Sequence, residues 1–257
     1  MSMRVTLLGT GDTTGTPTVG CDCATCVAAR ARGIERSRFS VHIENERTDE
    51  SILIDLSPDF RQQFLSQAVP LPDAAVVTHI HFDHLDGLGN AYRVFDELPV
   101  YAANEVDPKT GESVAETIRR KYEYLDRVSV FDVTPLASVE ICGLELTLVP
   151  VEHPPLLCFG LVVVDPETGA QLSLSGDTSY DIPADSREQL SDPDLFLADA
   201  IVSAALCDHH PLGGSHHDAD GVPRSFGTNH ITRHAELALA DEPEADETPL
   251  VHAAYHY

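Results

Sequence analysis

Short apolar blocks, each closed by polar residues or glycine, recur along the chain and predict strands. They fall at residues 4–8, 39–43, 51–55, 73–78, 99–102, 128–133, 140–142, 144–151 and 195–202. Residues 160–164 and 171–174 flank Asp165-Pro166-Glu167-Thr168-Gly169 and predict a hairpin. Helical spacing appears over 58–67, with Phe60, Phe64 and Leu65 on one face. It appears again at Leu85, Leu88, Tyr92 and Phe95, and over 112–125 with the stripe Val114, Ile118, Tyr122 and Leu125. That stripe is expected to be core. A last helix is predicted from about 230 to 240, and a last strand at 249–252.

The polar residues that close these blocks change the picture. The strand at 73–78 runs into Thr78-His79-Ile80-His81-Phe82-Asp83-His84, three imidazoles and a carboxylate within six residues. Neutral imidazole and carboxylate are ligands for zinc, manganese and iron. His79 and His81 are two apart, so an extended segment points both one way, while Asp83 and His84 turn to a second ion beside the first. Isolated histidines cap elements or sit in cores; this density of them favours metal. The same theme, a strand delivering a ligand at its end, recurs at His153, Asp177 and His252. Strand ends of a layered α/β fold meet on one edge, where such folds place their sites. His42 lies inside an alternating strand and reads as a sheet residue.

Cys21, Cys23 and Cys26 suit a structural zinc site lacking one ligand, or else are three reduced surface thiols. The Gly/Thr-rich stretch 9–17 lets backbone approach a site closely, but no helical pattern follows it, so it is not a dinucleotide fingerprint. The stretch 207–229 reads as a long loop whose His209, His210, His216 and His217 are solvated.

Length and charge bound the function. With 257 residues and no composition break, the chain is expected to form one α/β domain over 1–257. Its 42 acidic against 16 basic residues give a net charge of −26, and Lys109 and Lys121 are its two lysines. Such a surface repels polyphosphates, so nucleic acid is not expected as a partner. It suits high salt, where charge is screened. Six cysteines do not form a disulfide framework in a chain this long. No apolar run reaches membrane-spanning length and no signal-peptide pattern opens the chain, so the expectation is cytoplasmic, with no membrane partner.

The order HxHxDH, a lone histidine after a strand, Ser175-Gly176-Asp177, then Leu250-Val251-His252 resembles the metallo-β-lactamase superfamily over nearly the whole chain. The resemblance implies a four-layer αββα sandwich with metals at one edge. It implies two divalent ions, zinc or manganese: His79, His81 and His153 on one, Asp83, His84 and His252 on the other, Asp177 bridging. Leu8-Gly9-Thr10-Gly11, Gly15-Thr16-Pro17, Gly20-Cys21-Asp22-Cys23-Ala24-Thr25-Cys26, Leu53-Ile54-Asp55 and Asp59-Phe60-Arg61 are similar to the phosphoribosyl cyclic phosphodiesterase branch. There the cysteines and a late histidine hold a structural zinc. Here Tyr255 stands at the family's spacing and His256, one later, is the candidate fourth ligand. His230 matches a His-x-Thr histidine of that branch and of tRNA 3′-processing endonucleases; its plainer role is helix-start packing or capping. Asp83 and His230 are the candidate catalytic residues.

The resemblance thus implies a dinuclear hydrolase that cleaves a small, cyclic phosphodiester with a metal-bridging hydroxide. A homodimer is compatible with it. The rival readings are a tRNA 3′-processing endonuclease, a thioester or lactone hydrolase on the same fold, and a non-catalytic metal-binding protein. The acidity and the absence of a basic arm count against the first.

Overall fold

The computed structural model describes residues 3–22, 24–178 and 182–199, without the side chains of residues 24 and 25. Two mixed sheets form the centre. The first has the order β1 (Met3–Gly9), β2 (Ser40–Asn45), β3 (Glu50–Ile54), β4 (Ala74–Val77), β5 (Leu98–Ala103) and β6 (Val128–Val133). Strands β1 to β3 pair antiparallel, and β3 to β6 parallel. The second runs β11 (Leu195–Leu197), β10 (Gln171–Leu174), β9 (Leu156–Val164), β8 (Leu144–His153) and β7 (Ser138–Ile141), antiparallel but for β10 and β11.

Alternation along β8 and β9 shows how the layers stack. Leu146, Leu148, Phe159, Leu161 and Val163 join Ile43, Ile52 and Ile54 of the first sheet in one core. Their neighbours Val149, Val151, Cys158 and Val162 face the other way, into a smaller cluster with Ile182, Leu190 and Phe196. A period of two makes one strand serve two cores. Helix α6 (Ala184–Leu190) covers the outer face of the second sheet. Helices α2 (Phe60–Gln67) and α5 (Val114–Lys121) lie against the first, giving the predicted αββα sandwich.

Helix α5 is nucleated by a capping box: Ser113 Oγ accepts from Glu116 N, and the Glu116 side chain accepts from Ser113 N. Its stripe of Val114, Ile118, Tyr122 and Leu125 is buried, as its spacing predicts.

Other expectations need correction. On α2 the buried positions are Phe60 and Gln63, while Leu65 is 67% exposed. Five residues from Phe60, Leu65 turns about 140° off its face. Gln63 goes inside because its amide donates to Arg38 O and Ser37 Oγ. Residues 85–95 are not one helix but α3 (Phe82–Leu85), α4 (Leu88–Ala91) and a 3₁₀ turn at Tyr92–Val94. The break falls at Gly87, whose N–H donates to Leu56 O at 2.8 Å. Strand β11 ends at Leu197, so Asp199 lies after it, not within it. Helix α1 (Ala24–Arg32) and α6 were not anticipated. The predicted elements at 230–240 and 249–252 lie outside the described residues, as do His209, His210, His216 and His217.

A β-carbon at Gly87 would sit 2.0 Å from Ser57 O, which is backbone. Gly87→Ala is therefore expected to destabilise the fold by roughly 1–3 kcal/mol or more, as overpacking does, which urea unfolding would show as a lower midpoint.

Candidate metal centre

The parallel pair β3–β4 builds the site. Leaving β3, the chain turns through Asp55, whose φ of +60° is the left-handed region that non-glycine residues seldom adopt. The turn drives its carboxylate into the protein, where it is fully buried. There Oδ1 accepts from Thr78 N at 2.8 Å, and Oδ2 accepts from Thr78 Oγ1 at 2.7 Å and His84 Nδ1 at 2.6 Å. A strained residue held by three hydrogen bonds marks a place where the surrounding structure over-determines geometry.

These bonds settle the tautomers. Thr78 has one hydroxyl proton and gives it to Asp55, so its oxygen accepts from His79 Nδ1 at 3.0 Å. The lone pair of His79 is then on Nε2. His84 donates from Nδ1 to Asp55, which aims Nε2 at Asp177 Oδ2, 3.3 Å away, and Asp83 Oδ2, 3.6 Å away.

Three imidazole nitrogens converge beside this pair. His81 Nδ1 lies 2.9 Å from His79 Nε2 and 3.2 Å from His153 Nε2. His153 is the last residue of β8, and His81 is the N-cap position of α3. The predicted strand-end theme thus brings His79, His81, Asp83, His84, His153 and Asp177 to one edge. Burial, then the charge of His84, pushes His79 well below its ordinary value; burial, then His153, lowers His81. Burial alone would lower His84 too, but Asp177 and Asp55 outweigh it and hold it well above the usual range. Burial raises Asp55, with His84 opposing.

The donor set fits a divalent cation. Neutral imidazoles facing one another repel through their lone pairs, and a cation between them converts that repulsion into bonds. His79, His81 and His153 offer ligand atoms within 4.8 Å of one another. Asp55, His79 and His84 do so as well, but both Asp55 oxygens are already engaged by three donors, so Asp55 orients His84. A carboxylate behind a ligating histidine is the common arrangement at metal sites.

Asp55 is the member the sequence reading missed. Its signal was faint: a carboxylate closing an apolar strand, with partners 23 and 29 residues on. His42, read as a sheet residue, lies on β2 with its ring edge-on to Phe64 at 6.2 Å. Cys26 is buried, with Thr18 N 3.3 Å from its sulfur, and Cys21 is half-buried. Cys23, His230, His252 and His256 lie outside the described residues. A cavity of about 400 Å³ lined by Met3, Val5, Arg47, Leu172 and Leu195 shares no residue with the cluster.

Two facing mixed sheets with imidazoles and carboxylates gathered at one edge define the metallo-β-lactamase class of fold. Over residues 50–252 the chain matches the family described as Beta-lactamase superfamily domain, and it belongs to that family. It is similar to a diphosphatase from the PhnP family, with 28% identity and a TM-score of 0.80, covering 98% of this chain and 95% of that one. It shares the fold of the short form of human tRNase Z, with 18% identity and a TM-score of 0.66 over 90% and 93% of the chains. Zn(2+)-bound PqqB from Methylobacterium extorquens is a further fold relative, with 20% identity and a TM-score of 0.63 over 77% and 73%. An octanoyltransferase of Porphyromonas gingivalis is 40% identical over 139 residues, which are 53% of this chain and 26% of that protein. The chain thus matches about a quarter of that relative's length. Among the described residues no helix is long and apolar enough to cross a membrane.

Proposed function

We propose that the protein is a metal-dependent hydrolase of a small phosphodiester. The observation that carries this is the convergence of His79 Nε2 and His153 Nε2 on His81 Nδ1, at 2.9 and 3.2 Å, with His84 Nε2 facing the carboxylates of Asp83 and Asp177. His79, His81 and His153 would hold one divalent ion; Asp83, His84 and Asp177, with His252, a second. Bound there, the ions polarise phosphoryl oxygens and lower the pKa of water.

The remaining work belongs to the chain. Asp55 keeps the His84 proton on Nδ1 and so leaves Nε2 to the site. Thr78 does the same for His79. Burial excludes water from both rings, which strengthens every charge interaction at the edge. His230 is the proposed proton donor to the leaving oxygen. Cys21, Cys23, Cys26 and His256 are proposed as a separate structural zinc site. The substrate is expected to be small, because a net charge of −26 gives little surface for tracking an RNA backbone. The same charge supports adaptation to high salt.

A second reading is hydrolysis of a diphosphate linkage, favoured by the 28% identity to the PhnP-family diphosphatase along 98% of this chain. The test is a panel on metal-loaded protein: a ribosyl cyclic phosphate, a 2′,3′-cyclic nucleotide, a simple phosphodiester, a diphosphate diester, an octanoyl thioester and a pre-tRNA. Turnover is expected on the small phosphodiesters. Preference for the diphosphate supports the second reading. Activity confined to the thioester or to pre-tRNA overturns the proposal.

A further inference from the structure

The loop bearing Asp177 is held by a buried side chain just past its α-carbon. The N–H of Thr178 donates to Asp199 Oδ2 at 3.0 Å. Asp199 is fully buried and is itself fixed, since its N–H donates to Ser175 Oγ at 2.7 Å. Ser175 N in turn donates to Leu197 O at 2.9 Å, and Ser175 Oγ to Gly176 O at 2.8 Å.

Backbone contact completes the cradle. A β-carbon on Gly176 would lie 2.6 Å from Phe159 O, and one on Gly160 would lie 2.6 Å from Leu174 O. Strand β9 and the 175–177 loop therefore touch through their main chains. The peptide plane after Asp177 is held by Asp199, and the loop before it is pressed through Gly176 against β9. Between these two constraints the Asp177 carboxylate rests 3.3 Å from His84 Nε2.

We propose that Asp199 is a positioning residue for Asp177, fixing the peptide plane that follows it so that its carboxylate meets His84. This inference rests on the cation reading of the cluster and extends it to a residue that acts through the backbone. A supported ligand must be held within roughly 0.5 Å, and partners behind a ligand commonly set metal affinity.

The test uses full-length, metal-free protein titrated with cobalt(II), followed by its visible spectrum and by competition with a chelating indicator. Asp199→Ala is expected to weaken one class of cobalt binding by about 10–100-fold and to alter its visible band. Asp199→Asn keeps an oxygen facing Thr178, so its loss should stay below about tenfold. Leu190→Ala, which opens a cavity in the small core under α6, serves as the structural comparison. It should lower the melting temperature of the metal-free protein and leave cobalt affinity unchanged. The inference is overturned if Asp199→Ala binds cobalt as tightly as wild type, if it weakens no more than Leu190→Ala, or if Asp199→Asn fares as badly as the alanine variant. Should Asp199→Ala fail to fold, Ser175→Ala, which removes the hydroxyl that fixes the Asp199 N–H, carries the same comparison. Wild-type protein that takes up no cobalt overturns the cation reading itself, a failure distinct from loss of the positioning effect.

Discussion

A His79→Ala variant is expected to lose both divalent-metal uptake and phosphodiester hydrolysis while keeping its fold. His79 is fully buried between Thr78 and His81, and its Nε2 faces the imidazole cluster at 2.9 Å. Removing a group behind a ligand already costs on the order of 10–100-fold in metal affinity, so removing the ligand itself should cost more. The clearest readout is thermal. Metal present at about 100 times its dissociation constant stabilises a protein by roughly 2.7 kcal/mol. Wild type should therefore melt higher with metal than with chelator, and His79→Ala should melt at the same temperature in both. A variant with wild-type metal content and unchanged turnover would remove the cluster from the mechanism.

Arg47→Ala is expected to produce the largest loss of stability without touching the site. Arg47, in the β2–β3 turn, pairs with Asp165, which is fully buried at the start of the β9–β10 turn. Asp165 also accepts from Thr168 Oγ1 at 2.8 Å and Glu167 N at 3.1 Å. Without the guanidinium, the carboxylate stays buried and loses this charged partner. Breaking a buried pair costs about 3–5 kcal/mol. Because the Arg47 side chain is 33% exposed, solvent screening reduces this to about 2–3 kcal/mol. In a chain of this size that lowers Tm by roughly 5–10 °C. Thermal unfolding checks it, with metal affinity unchanged as the companion result. A Tm within a degree of wild type would show that the pair adds nothing.

The strands were legible because burial on one or two faces writes itself into period-two and continuous apolar patterns. The ligand cluster was legible because six of its members are local or close a readable strand. Asp55 was not, because its role depends on a left-handed turn and on partners brought near by parallel pairing. Leu65 was misplaced because an apolar residue beside a stripe looks like part of it, and nothing in the sequence shows that Gln63 finds partners at residues 37 and 38. The helix after His84 looked continuous because spacing alone does not reveal that Gly87 must press against the carbonyls of Leu56 and Ser57. Asp199 looked like a strand residue until the strand ended two positions before it.

The two ends of the sandwich have separate duties. His79, His153 and Asp177 gather where β4, β8 and β10 finish. Arg47 meets Asp165, and Asn45 Nδ2 reaches Cys142 O at 2.9 Å, at the opposite ends of β3, β8 and β9. Turns at that far end join the sheets without reaching the cluster. A lineage carrying this fold can therefore remodel the loops around its ligands, and with them its choice of substrate, while the far end holds the sheets together. Drift at the far end, conversely, changes how much heat or denaturant the protein withstands and leaves its chemistry alone.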